Sequence, residues 1–319
     1  MYGHAFGMVN PLAYQAIGAR HVPGREYKHR INRNLPTLIN LINLIKIRGF
    51  RAVFAIFAIN LSTMGKNKLK KFREMEENAL VFQYPWARLQ TEAFPLRGRW
   101  HEDFFHNDNP IVLELGCGKG EYTVGLGSAF PEANYIGIDI KGARMWTGAS
   151  KALEEGMNNV AFLRTDIELL PYFFAPGEVA EIWITFPDPQ MKKVRKRLTS
   201  TRFMELYRRV TSPGARINLK TDSPFLYTYT REMARLNNFT ILADTDNLYT
   251  SHAGDPILNI RTYYEQQWLD RGLTIKYIAF ALPHDTALSE PDIDIERDTY
   301  RSFSRGYIQC PQLLNQDKQ

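Results

Sequence analysis

From residue 110 onward, short apolar runs alternate with amphipathic stretches, and this alternation limits the possible folds severely. Strand-like runs fall at Ile111–Leu115, Tyr135–Asp139, Val160–Arg164, Glu181–Phe186, Ala215–Lys220, Phe239–Ala243 and Ile275–Ala281. Helical patterns fill the gaps at Glu121–Ala129, Lys141–Glu155, Thr201–Val210 and Phe225–Leu236. Within Thr201–Val210, Phe203, Leu206, Tyr207 and Val210 recur at i, i+3, i+4 and i+7 and form one buried face. Strands separated by helices predict an α/β fold. It is Rossmann-like, a mostly parallel seven-stranded sheet with helices on both faces. The last run has no helix before it and can return antiparallel.

The loop after the first strand reads "VLELGCGKGEY" and leads into a helix. Gly116, Gly118 and Gly120 allow a tight turn and close approach of a ligand to the backbone. Three acids stand at successive strand ends around it. Glu114 lies inside the first strand, Asp139 ends the second, 23 residues after Gly116, and Asp166 follows the third. Asp139 is placed to take ribose hydroxyls and Asp166 to meet an adenine amino group. Taken singly, Glu114 can also cap backbone amides, and Asp139 and Asp166 can cap helices. Together they point to a nucleoside cofactor. The glycine spacing departs from the dinucleotide pattern GxGxxG, and no phosphate partner is evident. An acidic pocket of this kind suits S-adenosylmethionine, which carries a sulfonium cation and no phosphate.

The stretch "EIWITFPDPQMKKVRKRLTS" changes character abruptly. A strand ends at Phe186, and Pro187-Asp188-Pro189 then stops both helix and strand. Lys192, Lys193, Arg195, Lys196 and Arg197 follow at once. An acid held rigidly at a strand end beside a run of cations suggests a reacting centre that works on a polyanion. The segment Lys66–Arg73 is a second candidate for phosphate contacts, or else an arm without fixed structure.

The charge balance locates this basicity. The chain has 319 residues and a net charge of +6. Residues 1–63 carry eight Lys/Arg and one acid, so residues 64–319 are slightly acidic, with 32 bases against 33 acids. The cations at 192–197 are therefore a local cluster in a domain without basic excess, which favours phosphate contacts over the alternative of a solvated face. The leader 1–63 is apolar but interrupted by Lys46, Arg48 and Arg51, too soon for a membrane span. It reads as upstream sequence from a mis-assigned start, as an amphipathic membrane-surface segment or as an appended helix, the first favoured because Met64 opens a plausible N-terminus of its own. Residues 64–109 read as a basic arm and connector, 110–282 as the catalytic domain and 283–319 as a polar, solvated tail. Asp292, Asp294, Glu296 and Asp298 alternate in that tail, but no metal is expected. The two cysteines, Cys117 and Cys310, form no metal or disulfide pattern. A reducing, cytoplasmic setting fits, with no membrane association. The oligomeric state, monomer or homodimer, is left open.

The motifs "LELGCGKGEY", "IGIDIKGAR", "FPDPQMKKVRKR", "LKTD" and "TYYE", in this order, resemble the bacterial tRNA (guanine-N7)-methyltransferases across about residues 65–282. That resemblance implies a class I methyltransferase fold. It also implies methylation of guanine N7 in tRNA, at guanosine 46 of the variable loop. It implies that Glu114, Asp139, Asp166 and Asp188 contact S-adenosylmethionine or the catalytic centre. It likewise places Lys192, Asp222, Thr262, Tyr263, Tyr264 and Glu265 against substrate. The chain departs from the family in having Gln190-Met191 where Trp-His is frequent, and Tyr263 where a basic residue is common. A methyltransferase for another RNA or a small molecule, or a non-catalytic RNA-binding module, accounts for fewer of these residues.

Overall fold

The computed structural model describes residues 69–299, all within the unit Gly65–Gln319. The leader 1–63, Cys310 and the end of the tail lie outside the described residues, as do the expectations placed on them.

Residues 69–77 form helix α1. The strands are β1 (Val81–Gln83), β2 (Ile111–Leu115), β3 (Asn134–Ile138), β4 (Val160–Arg164), β5 (Val179–Thr185), β6 (Thr211–Thr221), β7 (Ile241–Thr245) and β8 (Lys276–Leu282). Between them run helices α2 (Glu121–Ala129), α3 (Gly142–Glu154), α4 (Thr201–Arg208), α5 (Pro224–Leu236) and α6 (Tyr263–Leu269). The strand order is β1-β4-β3-β2-β5-β6-β8-β7, so the sheet has eight strands, not seven. All neighbours from β1 to β6 are parallel, and β8 lies antiparallel between β6 and β7. The last run returns antiparallel, although a helix that the sequence pattern did not indicate, α6, precedes it.

Every residue of β2 and β3 is buried, as in a sheet covered on both faces, where strands read as continuous apolar runs. The additional strand β1 comes from the connector and pairs with β4, Val81 opposite Phe162. Three residues before Tyr84-Pro85 are too few to show a period. The aromatic residues of that connector pack as a core. Trp100 is fully buried, donates its indole N–H to the Phe173 carbonyl at 3.0 Å and stacks on Phe174.

Helix α1 corrects the expectation of a loose arm over its part of Lys66–Arg73. Met75 is buried, Glu74 accepts a hydrogen bond from the Trp146 indole at 2.7 Å, and Lys71 lies over the Trp146 ring. The tail, expected to be solvated, is docked at several points, while Asp292, Asp294 and Glu296 are exposed. Arg208 donates to the carbonyls of Pro283 and Thr286, and Asn237 exchanges hydrogen bonds with the backbone of Ser289. Leu288 and Ile295 pack against the main apolar core. Among the described residues no helix is long and apolar enough to cross a membrane, and no His/Cys/Asp/Glu group is arranged to hold a metal ion.

Candidate active site

From β2 the chain winds outward one way through β3 and β4, and the other way through β5 and β6. The crevice between β2 and β5 is therefore the switch point, where open α/β sheets place their ligands. Leu115 is paired with Ile184 there, which brings the glycine loop beside the turn that follows β5.

Gly116, Gly118 and Gly120 all have positive φ, +77°, +56° and +71°. A Cβ on Gly120 would lie 2.5 Å from the Phe162 ring, so this glycine permits α2 to close onto the sheet. The other two face open space. Gly116 has nothing within 4 Å of an added Cβ, and Gly118 only its own loop's Gly116 carbonyl at 3.9 Å. Asp139 holds the loop: Oδ2 accepts from the Gly118 amide at 2.9 Å and Oδ1 from the Lys141 amide at 2.8 Å. Asp139 is half-buried, while Asp166 is exposed and caps a 3-10 turn by accepting from the Glu168 amide. An open glycine cradle, flanked by carboxylates at the ends of β3, β4 and β5, fits S-adenosylmethionine.

Glu114 behaves differently from Asp139. It is buried, and its oxygens already accept from the Thr123 amide at 2.9 Å, the Thr123 hydroxyl and the Thr185 hydroxyl at 2.6 Å. It ties β2, α2 and β5 together at the crevice, the capping role left open from sequence. Burial raises its pKa to about 7 against the opposing pull of these hydrogen bonds.

The turn after β5 is strained. Phe186 and Gln190 have positive φ, +49° and +46°, on either side of Pro187-Asp188-Pro189. Such a conformation costs a bulky residue about 1–3 kcal/mol and persists only where its surroundings impose it. The Phe186 amide donates to the Lys220 carbonyl at 2.8 Å, and the Gln190 amide to Asp188 Oδ1 at 2.9 Å. Asp188 itself is exposed at the crevice.

Lys192, Lys193, Arg195 and Lys196 are exposed next to it, but Arg197 is not. This corrects its reading as a phosphate contact. Arg197 is only 4% exposed, donates to the carbonyls of Pro189 and Met191, and lies over the rings of Phe225 and Tyr229. Its charge fastens the turn from beneath.

The TYYE segment opens α6 and docks on the glycine loop. The Tyr263 amide donates to Glu121 at 2.9 Å, and the Lys119 ammonium sits 4.1 Å from the centre of the exposed Tyr263 ring. Tyr264 lies partly buried beside it. Thr262 and Glu265, expected against substrate, instead form a capping box. Glu265 is fully buried and pairs with Lys220, a residue that sequence reasoning missed although a lysine near the end of an apolar strand was the available signal. Asp222, one residue beyond β6, is also buried.

The family model described as "Putative methyltransferase" matches residues 108–278. A tRNA (guanine-N(7)-)-methyltransferase of Porphyromonas gingivalis is 68% identical over 236 residues, 73% of this chain and 97% of that protein. One from Bacteroides thetaiotaomicron is 59% identical over 243 residues, 76% of this chain and 96% of that protein. Among solved structures, the 16S rRNA methyltransferase KamB is similar with 14% identity and a TM-score of 0.46, covering 63% of this chain and 95% of that one. On the identity and coverage of the Porphyromonas and Bacteroides proteins, the chain belongs to the family of tRNA (guanine-N7)-methyltransferases.

Proposed function

We propose that this protein transfers the methyl group of S-adenosylmethionine to N7 of a guanine in tRNA, in the cytoplasm, at guanosine 46 of the variable loop. The observation that carries this reading is the clamped turn at the switch point. One exposed acid, Asp188, sits between two residues with positive φ, beside an open glycine cradle and four exposed cations.

S-adenosylmethionine supplies, when bound, an electrophilic methyl on a sulfonium. Guanine N7 has a free lone pair, so no proton leaves that nitrogen and no strong base is needed. The protein's work is to hold the purine in line and to favour the positive charge that grows on it. Asp188 is suited to both tasks, as a fixed carboxylate and as an acceptor for the guanine N1–H and amino edge. Asp139 and the amides of the glycine loop are assigned to the nucleoside end of the cofactor, with Asp166 near its adenine. Lys192 is assigned to the substrate base and Asp222, buried just beyond β6, to the loop that borders it, with Phe186, Tyr263 and Tyr264 as rings on which the base can stack. Lys193, Arg195 and Lys196 meet the flanking phosphates.

Mass spectrometry of nucleosides from tRNA incubated with the protein and cofactor tests this reading. 7-Methylguanosine should appear, and should vanish when position 46 is changed from guanine. Any other methylated nucleoside in its place, or none, would overturn it.

A further inference from the structure

Two carboxylates of the segment 283–299 bond to the starts of α4 and α5, the helices that follow the Asp188 and Asp222 turns. Asp298 is buried, with Oδ2 accepting from the Ser223 hydroxyl and Oδ1 from the Phe225 amide at 3.1 Å. Ser223 already caps α5 by accepting from the Leu226 amide at 2.9 Å, so its proton is left for Asp298. Asp298, from 75 residues away, caps the Phe225 amide that Ser223 leaves open and also holds the Ser223 hydroxyl. The second bond fixes Ser223, and therefore Asp222 immediately before it. Burial lowers the pKa of Lys276 and the charges of Asp222, Asp246 and Asp298 oppose that, so the tail's charge also bears on the balance around Asp222.

The second carboxylate is Glu290. It accepts from the Thr201 amide at 3.0 Å and the Thr201 hydroxyl at 2.7 Å, and its other oxygen accepts from the Tyr229 hydroxyl. The Tyr229 ring lies 4.3 Å below the Arg197 guanidinium, which holds the Pro189 and Met191 carbonyls. One segment thus grips the Asp222 turn through Asp298 and the Asp188 turn through Glu290.

We propose that residues 283–299 are a strap that sets the two substrate loops relative to each other, with Asp298 a positioning residue for Asp222. This rests on the tRNA methyltransferase reading and adds a residue group outside the stretch that carries the family's motifs. The cofactor cradle lies on β2 and β3, away from the strap's contacts, so substrate handling and cofactor binding should separate.

The test compares wild type with Asp298→Ala and Asp298→Asn, each as the full chain. Steady-state methylation of tRNA is measured well below the melting temperature, with cofactor affinity measured by calorimetry. Asp298→Ala should lower kcat/KM for tRNA about tenfold, within the ~100-fold that a misplacement of order 1 Å can cost, while cofactor Kd stays unchanged. Asp298→Asn keeps one acceptor and should fall between; where the alanine variant does not fold, it alone carries the comparison. A lowered melting temperature with unchanged kcat/KM, or cofactor binding abolished in parallel with turnover, would overturn the proposal. A wild-type protein that methylates no tRNA guanine would instead overturn the reading beneath it.

Discussion

Lys220 and Glu265 form an ion pair, Nζ to Oε1 2.9 Å, in which both side chains are completely buried. Lys220 also donates to the carbonyls of Leu258 and Ile260, and Glu265 accepts from the Tyr249 hydroxyl. Burial pulls the lysine below its ordinary pKa, and the facing carboxylate opposes that pull. The pair joins the end of β6 to the first turn of α6, which carries Tyr263 and Tyr264 to the glycine loop.

Removing one partner should therefore be far worse than removing both. Lys220→Met leaves a buried carboxylate without its cation, a loss of about 3–5 kcal/mol, whereas Lys220→Met with Glu265→Leu should recover much of it. Urea unfolding of the two variants decides. A double variant as unstable as the single would mean that the hydrogen bonds to the loop carbonyls, not the charges, carry the interaction.

Glu114 should make stability depend on pH in the direction opposite to an ordinary salt-bridged acid. Its folded pKa is raised from 4.5 to about 7, chiefly by burial, so the folded protein holds this proton more tightly than the unfolded chain. The linked stabilisation is fully present below about pH 4.5 and is lost as pH rises through about 7, amounting to about 3 kcal/mol. The stability difference between wild type and Glu114→Gln, followed by denaturant unfolding from pH 5 to 8, should shift against wild type with rising pH. A flat difference would refute the assignment.

The parallel core of this fold was legible because buried strands and amphipathic helices have clear periods. β2, β4 and α2 run over the residues their patterns indicate. β1 was not, since its three residues gain their place only by pairing with β4. The site was legible in its backbone chemistry: glycines that must turn and prolines that must stop a strand. Side-chain partners were less so. Arg197 sits in a run of cations and only the packing of Phe225 and Tyr229 sets it apart from its neighbours. Thr262-Tyr-Tyr-Glu265 carries the S/T-x-x-E spacing of a helix start, a signal that was present in the sequence and that the substrate reading overrode. Asp298 belongs to an alternation of acids in which the apolar positions are Ile293 and Ile295, so the period marks the opposite side for burial.

Asp139 and Asp188 should separate binding from turnover. Asp139→Ala removes the acceptor for the Gly118 and Lys141 amides as well as the assigned ribose contact. Calorimetry should show S-adenosylmethionine bound more weakly by about 1.5–3 kcal/mol. Asp188→Ala should leave tRNA affinity nearly intact and reduce kcat, because its assigned work is in the transition state. Unchanged cofactor affinity in folded Asp139→Ala, or near-normal kcat in Asp188→Ala, would remove the residue from its role.

The basic run offers a test with an internal control, because its members differ in exposure. Lys193, Arg195 and Lys196 are exposed, whereas Arg197 is buried under the turn. Replacing the three exposed residues by Ala should weaken tRNA binding and flatten its salt dependence, by up to about 0.7–0.9 log units of slope for each phosphate no longer neutralised. Cofactor affinity and melting temperature should stay as in wild type, since these side chains hold no part of the fold together. Arg197→Ala should do the reverse. It strands the Pro189 and Met191 carbonyls and should cost about 1–3 kcal/mol of stability, with little direct effect on the salt slope. Affinities at several salt concentrations and one unfolding curve per variant distinguish the two. Coincident salt slopes for wild type and the triple variant would make the exposed run a solvated face, and a phosphate path over Lys70, Lys71 and Arg73 of α1 would be the next to measure.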